Sequence, residues 1–334
     1  MDKALTIIIP AYNVSQYIEQ GLDSLISDMN ILPLLDIIVV NDGSNDDTLS
    51  KTYTYCKRFK ESISVIDKAN GGHGSVINVG IKAAKGKYIK VLDGDDWVKQ
   101  EGLKELVEYI KKTESYPDVI INPFEKVWED GKRETINFEQ IEVERSVDYR
   151  EVIRYGYTLS LHTLTIKREI YQNNNIPEID TKISYDDMEY MLYPVPYINS
   201  IVFLKKIVYE YRLGLPEQSM NPEQMKKKLP MHTKVIESLS NYYCSKQDLF
   251  SESQTRYFQQ EFVDTLATNI DIRLSVNEPY LSLRKFWEKY TMFPLLKTRK
   301  RKMRILLKFK RLGYMIIRVA ERIQLFDFIG KRMS

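Results

Sequence analysis

Cysteine and histidine are scarce in this chain of 334 residues, which contains two cysteines and three histidines. Cys56 and Cys244 give no disulfide framework and no metal-ligand spacing, so we expect the protein to work in a reducing, cytoplasmic compartment. His73, His162 and His232 are scattered without the spacing of a zinc site. We therefore expect His73 to be a hydrogen-bonding loop residue and the other two to be structural.

Long apolar runs are also missing from the sequence. No stretch approaches the roughly 18 residues needed to span a bilayer, and the N-terminus leads into a predicted strand without the apolar core and cleavage site of a signal peptide. Hydrophobic residues make up 43% and charged residues 28% of the chain, as in ordinary soluble proteins. The length predicts two domains, or one domain with a long appendage.

Charge is distributed unevenly, although the net charge is only +3. Residues 297–334 contain 13 Lys or Arg and 2 Asp or Glu, a net charge of +11, so the other 296 residues carry −8. A basic tail on an acidic body indicates an anionic surface as partner, either lipid or nucleic acid. No nucleic-acid-binding motif accompanies the charge, which disfavours nucleic acid.

Strand and helix signals alternate through the first 123 residues. Strands are predicted at residues 5–10, 36–40, 63–67, 87–92 and 119–121, and helices at residues 15–26, from 48 onward, at 76–84 and at 101–112. The strands are nearly continuous apolar runs, as expected for a buried parallel sheet. This order predicts an α/β fold with helices on both faces of the sheet.

The pattern changes after Pro123. A hairpin is predicted around Asp130-Gly131, and a helix is expected to begin near residue 183 with Ser184 as its cap. The other predicted elements are a helix at residues 147–155 and strands at residues 160–166, 201–204 and 208–212. From about residue 221 the pattern is helical, so we divide the chain into residues 1–220, a helical region at 221–296 and a basic amphipathic tail at 297–334.

Three carboxylates follow the predicted strand at residues 87–92, in Asp93-Gly94-Asp95-Asp96. Crowded like charges repel unless a cation lies among them, and oxygen ligands of this kind suit Mg²⁺ or Mn²⁺. The carboxyl end of a strand in an open α/β sheet is where ligands bind. Alone, the motif would favour a solvated acidic turn.

A glycine-rich loop, Asn70-Gly71-Gly72-His73-Gly74, lies between a predicted strand and a predicted helix. It begins like a dinucleotide-binding fingerprint, but Ile77 stands where the last glycine of that motif belongs. The dinucleotide interpretation is therefore weak.

Four motifs together resemble the inverting family 2 glycosyltransferases, which have the GT-A fold. They are residues 6–13, residues 38–48 with Asn41-Asp42-Gly43-Ser44, the glycine-rich loop with Asn78, and residues 86–96. The resemblance is dense over residues 5–123, thinner to about 220 and absent beyond. It implies a mostly parallel GT-A sheet flanked by helices, followed by a C-terminal helical region.

The resemblance also implies a nucleotide-sugar site, with a UDP-sugar as donor. The residues that it assigns to the donor are Pro10, Ala11, Tyr12, Asn13, Asp42, Gly43, Asn70, Gly71, Asp93, Gly94 and Asp95. Asp95 matches the direct ligand of a Mn²⁺ or Mg²⁺ ion that bridges the phosphates, and Asp93 would hold the ribose or a metal-bound water. Without the other motifs, Asp42-Gly43-Ser44 would be interpreted as a plain turn that caps the next helix.

The family places its catalytic base in an acidic pair at a helix start, and Asp186-Asp187 matches that pair, with Asp187 as the base. Asp186 departs from the usual Glu. Arg212 would stabilise the departing diphosphate. The alternatives are helix N-terminal charge for the pair and a solvated side chain for Arg212.

The basic tail carries an apolar stripe at steps of four and three residues, namely Ile305, Phe309, Leu312, Ile316, Val319, Ile323 and Phe326. A stripe beside Lys and Arg residues is typical of a helix lying on anionic lipid. A packing or dimerisation helix would show the same stripe, so a homo-oligomer stays open.

The resemblance therefore implies a metal-dependent inverting enzyme that moves a hexose from a nucleotide sugar to a glycan, glycolipid or glycoprotein acceptor in surface polysaccharide assembly. It would be cytoplasmic or peripheral on the inner face of the cell membrane. The alternative is a catalytically silent sugar-nucleotide-binding partner in a glycan-assembly complex. A nucleotidyltransferase is disfavoured because no basic activating loop lies near the N-terminus.

Overall fold

The computed structural model describes residues 2–215 and 222–322. Its strands are β1 (Leu5–Ala11), β2 (Leu35–Asn41), β3 (Ile63–Asp67), β4 (Tyr88–Val91), β5 (Trp97–Val98), β6 (Val119–Ile121), β7 (Phe124–Trp128), β8 (Arg133–Ile136), β9 (Ser146–Val147), β10 (Leu164–Lys167), β11 (Ile201–Phe203) and β12 (Tyr209–Leu213). Its α-helices are α1 (Ile18–Ile26), α2 (Thr48–Arg58), α3 (His73–Ala83), α4 (Gln100–Lys112), α5 (Tyr149–Arg154), α6 (Arg168–Asn173), α7 (Asp187–Leu192), α8 (Pro222–Lys227), α9 (Leu229–Lys246), α10 (Glu252–Ser275), α11 (Tyr280–Glu288) and α12 (Arg301–Arg322).

The main sheet has eight strands in the order β3-β2-β1-β4-β10-β6-β11-β9. The strands β3, β2, β1 and β4 are parallel to one another, and β10 is antiparallel to both of its neighbours. Alternate residues of β2 face opposite sides: Ile37 belongs to the same core cluster as Leu22 of α1, and Ile38 to the same cluster as Val76 of α3. The predicted α/β fold with helices on both faces is confirmed.

A second sheet, in the order β5-β12-β7-β8, was not predicted. Its β7–β8 hairpin is the one expected around Asp130-Gly131. The remaining strand pairs join distant segments, since Tyr209 of β12 pairs with Phe124 of β7 and with Val98 of β5. Because β5 directly follows the acidic loop at residues 93–96, this sheet fixes β12 beside that loop.

Two predicted boundaries need correction. The helix expected near Ser184 is α7, which begins at Asp187 with Asp186 at its N-cap. Tyr185 has a φ of 71°, in the left-handed region, and therefore cannot continue a right-handed helix. The strand expected at residues 160–166 is a 3₁₀ turn at Leu161–Thr163 followed by β10.

The chain divides into two compact units, Met1–Gln218 with Asp248–Gln254, and Ser219–Gln247 with Thr255–Ser334. The predicted boundary at residue 220 lies outside the described residues, and the one at residue 296 stays a prediction. The second unit is helical in its described part and has a core that includes Phe258, Phe262 and Leu266. Among the helices within residues 2–215 and 222–322, none is both long enough and apolar enough to cross a membrane.

The basic tail is not one uninterrupted helix. Within α12 the backbone of Lys310 has a φ of 50° and a ψ of −123°, so two helical segments meet there. Ile323 and Phe326 of the predicted stripe lie outside the described residues. Buried side chains of α12 belong to Met303, Leu306, Ile317 and Ala320, whereas Phe309, Leu312, Ile316 and Val319 of the stripe are exposed.

Candidate active site

The predicted donor residues follow three neighbouring parallel strands. Residues 12–13 follow β1, Asp42 follows β2 and the acidic loop follows β4. The carboxyl ends of parallel strands meet at one edge of a sheet, which is the position where open α/β sheets bind ligands. The order β2-β1-β4 in the sheet therefore brings these loops together.

Close approach of the loops depends on two glycines. A Cβ on Gly94 would lie 2.6 Å from the carbonyl oxygen of Pro10, so the acidic loop crosses the end of β1 too closely for a side chain. Gly43 has a φ of 73°, and a Cβ there would lie 3.0 Å from the backbone nitrogen of Asn70. Tyr12 is 48% exposed next to these loops and leaves a ring face accessible.

Asp42 holds the glycine-rich loop in place. One of its carboxylate oxygens accepts hydrogen bonds from the amide of Gly71 at 2.8 Å and the ammonium of Lys68 at 2.6 Å. The other accepts from the amide of Gly72 at 2.8 Å. Asp42 is buried, so this buried charge is offset by a cation and two backbone donors. Asp42 therefore has a structural role in holding the glycine-rich loop. The contact with uracil that the resemblance implies stays a prediction.

Strand β12 holds the acidic loop in place through hydrogen bonds. The hydroxyl of Tyr209 donates to Asp96 at 2.6 Å, and the amide of Arg212 donates to the other oxygen of Asp96 at 2.7 Å. The amide of Asp93 donates to the Tyr209 hydroxyl at 3.1 Å. Burial and the neighbouring carboxylates of Asp95 and Asp93 raise the pKa of Asp96 well above its usual range.

His162 lies beside the acidic loop, a contact that the sequence did not predict. Asp93, Asp96 and His162 each offer one ligand atom, and these atoms lie within 4.8 Å of one another. Burial lowers the pKa of His162 to about 4, so its imidazole is neutral at neutral pH and keeps a lone pair. Asp95, the predicted direct ligand, is not one of these three residues.

The acidic pair begins α7. Asp186 is buried, with 3% exposed, and its backbone carbonyl accepts the amide hydrogens of Glu189 and Tyr190. Asp187 is half-buried in the first turn. Burial and the neighbouring carboxylate of Asp186 raise the pKa of Asp187 to about 6. A carboxylate with a pKa close to neutral is suited to accept a proton as a general base.

His73 connects the two acidic groups. Its Nδ1 lies 3.0 Å from a carboxylate oxygen of Asp186, and its Nε2 lies 3.2 Å from one of Asp93. The Asp186 contact joins residues 113 positions apart in the chain. His73 does form hydrogen bonds, but it is the first residue of α3 and not the loop residue that the sequence predicted. Neither partner could be read from sequence spacing.

Arg212 is held beside the acidic loop. Its guanidinium lies 4.7 Å from the ring centres of both Tyr17 and Trp97. It donates to the backbone carbonyl of Asp95 at 2.8 Å and to the side chain of Gln20 at 2.6 Å. These contacts give Arg212 a structural role in fixing the loop, and its predicted contact with the diphosphate stays a prediction.

Comparisons with known proteins identify the family and the fold. The family model described as glycosyl transferase family 2 matches residues 6–172. The uncharacterized glycosyltransferase EpsJ of Bacillus subtilis is 44% identical over 104 residues, covering 31% of this chain and 29% of EpsJ. The minor teichoic acid biosynthesis protein GgaB of the same organism is 30% identical over 118 residues, covering 35% of this chain and 13% of GgaB. The chain therefore spans less than a third of the length of either protein.

A solved structure shares the fold over most of the chain. Residues 1–349 of TarS from S. aureus superimpose with a TM-score of 0.64 at 22% identity, covering 96% of this chain and 92% of that one. At this identity the likeness shows the fold alone.

Asp187→Asn is expected to stabilise the protein at neutral pH. The folded pKa of about 6 is above the ordinary value of 3.8, so the folded state binds this proton more tightly than the unfolded state. Stability contributed by Asp187 is therefore present at low pH and falls as pH rises between those values, by about 2–3 kcal/mol at most.

Thermal unfolding at pH 7.5 and pH 4.5 checks this, with the exposed-site variant Glu114→Gln as control. The melting temperature of Asp187→Asn should exceed the wild-type value at pH 7.5, and the difference should shrink at pH 4.5. An Asn variant that is less stable at pH 7.5 would contradict the raised pKa.

Proposed function

This chain belongs to glycosyl transferase family 2, and on that premise we propose that it transfers a hexose from a nucleotide sugar to an acceptor hydroxyl with inversion at the anomeric carbon. One observation carries the proposal: the acidic loop and the acidic pair lie on either side of one imidazole. Asp93 is 3.2 Å and Asp186 3.0 Å from the ring nitrogens of His73. A donor bound at the loop would therefore present its sugar to the pair.

The donor that we propose is a UDP-sugar. TarS, which shares the fold, has been solved in complex with UDP-GlcNAc, so this class is the first to test. Asp42 and Tyr12 lie at the ends of β2 and β1, where the base and ribose would be held. A carboxylate oxygen of Asp42 that already accepts one amide hydrogen bond keeps a lone pair for the uracil imide.

The side chains of the acidic loop fit a hard divalent cation. Asp93, Asp96 and His162 offer two carboxylates and a neutral imidazole within 4.8 Å. Burial raises the pKa of Asp96, and repulsion from Asp95 and Asp93 raises it further; a cation would relieve that repulsion. Asp95 adds a further carboxylate from the same loop. Mn²⁺ or Mg²⁺ held by these residues would neutralise charge on the diphosphate as it departs.

Asp187 is the general base in this proposal. It takes the proton of the acceptor hydroxyl while the hydroxyl oxygen attacks the anomeric carbon from the face opposite the diphosphate. The bond between the anomeric carbon and the diphosphate oxygen breaks, and the diphosphate leaves with the electron pair. The pKa of about 6 leaves Asp187 largely ionised at neutral pH and able to accept this proton.

The acceptor that we propose is a glycan or a lipid-linked glycan in surface polysaccharide assembly, reached from an anionic membrane. The relative GgaB is named for minor teichoic acid biosynthesis. In the second unit, Phe309, Leu312, Ile316 and Val319 of α12 are between 45% and 58% exposed, and Lys and Arg residues surround them in the sequence. Exposed apolar side chains beside basic ones are the composition of an interfacial surface.

Turnover of a nucleotide sugar tests the function. We expect UDP release from at least one of UDP-glucose, UDP-galactose and UDP-GlcNAc in the presence of Mn²⁺. Asp187→Asn should lower the rate about 10²–10⁴-fold, because it removes the base, while the affinity for UDP stays unchanged. Glu114→Gln should retain the wild-type rate. Binding of UDP without any turnover would instead favour a catalytically silent partner.

Asp95→Ala is expected to weaken UDP binding only when Mn²⁺ is present. The loop carboxylates would contact the nucleotide through the cation, so without metal the variant and the wild type should bind alike. Calorimetric titration of UDP with and without Mn²⁺ measures this, and Glu129→Ala, an exposed carboxylate on the β7–β8 turn, is the control. Equal affinities for Asp95→Ala and wild type in Mn²⁺ would remove Asp95 from the metal site.

The exposed face of α12 is expected to bind anionic vesicles. Replacing Leu312 and Val319, each 58% exposed, by serine should lower binding to phosphatidylglycerol vesicles by roughly tenfold per side chain, since each apolar side chain contributes about 1.5 kcal/mol or more when buried. Leu281→Ser is the matched control, because Leu281 is 68% exposed on α11 of the same unit. Co-sedimentation at low and high salt measures the effect, and a full-length protein that never sediments with vesicles would exclude the membrane.

A further inference from the structure

We propose that His73 is a positioning residue that fixes Asp186 and Asp93 relative to each other, and thereby sets Asp187 at the distance from the bound donor that the transfer requires. This inference rests on the proposed function. It assigns a role to a residue that sequence reasoning treated as an ordinary loop residue, and it makes the glycine-rich loop part of the catalytic apparatus.

The imidazole of His73 is a rigid spacer between two elements. One nitrogen contacts Asp186 at the N-cap of α7, and the other contacts Asp93 in the loop after β4. A planar ring with a nitrogen at each contact cannot change the separation of its partners by rotating a single bond. The distance between the acidic loop and the start of α7 is therefore fixed by the ring itself.

Asp42 fixes the backbone that precedes His73, because its carboxylate accepts hydrogen bonds from the amides of Gly71 and Gly72. Gly72 has a φ of 85°, and a Cβ there would lie 2.8 Å from the backbone nitrogen of Lys182. The loop therefore lies directly against the segment that leads to α7.

The same segment is fixed to α3. The side chain of Asn78 exchanges two hydrogen bonds with the backbone of Ile179, at 2.8 and 3.0 Å. A Cβ on Gly74 would lie 2.2 Å from the carbonyl oxygen of Asp180 and 2.9 Å from a carboxylate oxygen of Asp186. Only glycine allows this approach, so both partners of the Asp186–His73 contact are rigid.

The contacts of His73 indicate that it positions other residues and does not itself exchange a proton with the substrate. Both ring nitrogens of His73 contact carboxylates, so neither is left to take a proton from an acceptor hydroxyl. Asp186 is buried, and its backbone carbonyl accepts the amide hydrogens of Glu189 and Tyr190 in α7. Holding Asp186 therefore holds the first turn of α7, on which Asp187 lies.

The experiment compares His73→Ala, Asp186→Asn and the double variant in the UDP-sugar turnover assay. A misplacement of about 1 Å at the reacting groups costs on the order of 10²-fold in rate, so we expect His73→Ala to lower kcat by about that factor. UDP affinity in Mn²⁺ should change less than about threefold. The double variant should be no slower than the slower single variant, because both changes break the same contact.

Two further variants make the result specific. His73→Gln keeps a donor for one of the two carboxylates and should recover part of the lost rate. Lys82→Ala is the matched control, since Lys82 lies on α3 and contacts Glu178 of the same segment at an exposed position. It should retain the wild-type kcat.

Each other outcome overturns the inference. A wild-type kcat in His73→Ala, or multiplicative losses in the double variant, would show that His73 does not act through Asp186. A rate loss explained by a lowered melting temperature, with His73→Gln no better than His73→Ala, would show a merely structural residue. Failure of the proposed function is recognised separately, because the wild type would then turn over no UDP-sugar, whether or not it binds UDP with Mn²⁺.

Discussion

The crowding of carboxylates in a partly buried site is the constraint on which this structure depends. Asp42, Asp93 and Asp96 gather at one edge of the main sheet, and His73 connects Asp93 to Asp186, the neighbour of Asp187 in the chain. Four of these five carboxylates have polar partners: two amides and Lys68 for Asp42, Tyr209 and an amide of β12 for Asp96, and one imidazole shared by Asp93 and Asp186. Beneath them the fully buried Lys90 donates to the carbonyls of His162 and Leu164, and burial lowers its pKa to about 7.

Crowding these carboxylates together lowers the stability of the folded protein, and it also provides the groups that the proposed reaction needs. The raised pKa values of Asp96 and Asp187 show that ionising these carboxylates is unfavourable in the folded protein. The apolar strands beneath them offset that cost, since β1, β2 and β4 are almost entirely buried. A proton acceptor with a pKa near 6 and an acidic loop suited to a cation both follow from placing carboxylates next to one another in a buried site.

The local sequence pattern predicted the elements whose formation depends on residues close together in the chain. The strands β1 to β4 and the β7–β8 hairpin were predicted from apolar runs and turn residues. The second sheet was not, because Tyr209 and Phe124 pair across a long stretch of chain. The same reason hides the contacts of His73 and His162, which no spacing encodes. The start of α7 was misplaced because Tyr185 adopts a left-handed backbone that its residue type does not signal.

The proposed function requires the donor diphosphate and the acidic pair to meet at the edge of the main sheet. A crystal structure with UDP and Mn²⁺, with anomalous scattering measured at the manganese edge, tests it most directly. We predict a manganese peak between the diphosphate and the loop at residues 93–96, with the base and ribose at the ends of β1 and β2 and with Asp187 facing the terminal phosphate. Well-ordered UDP bound elsewhere, or bound here with Asp186 and Asp187 turned away and no manganese at the loop, would contradict it.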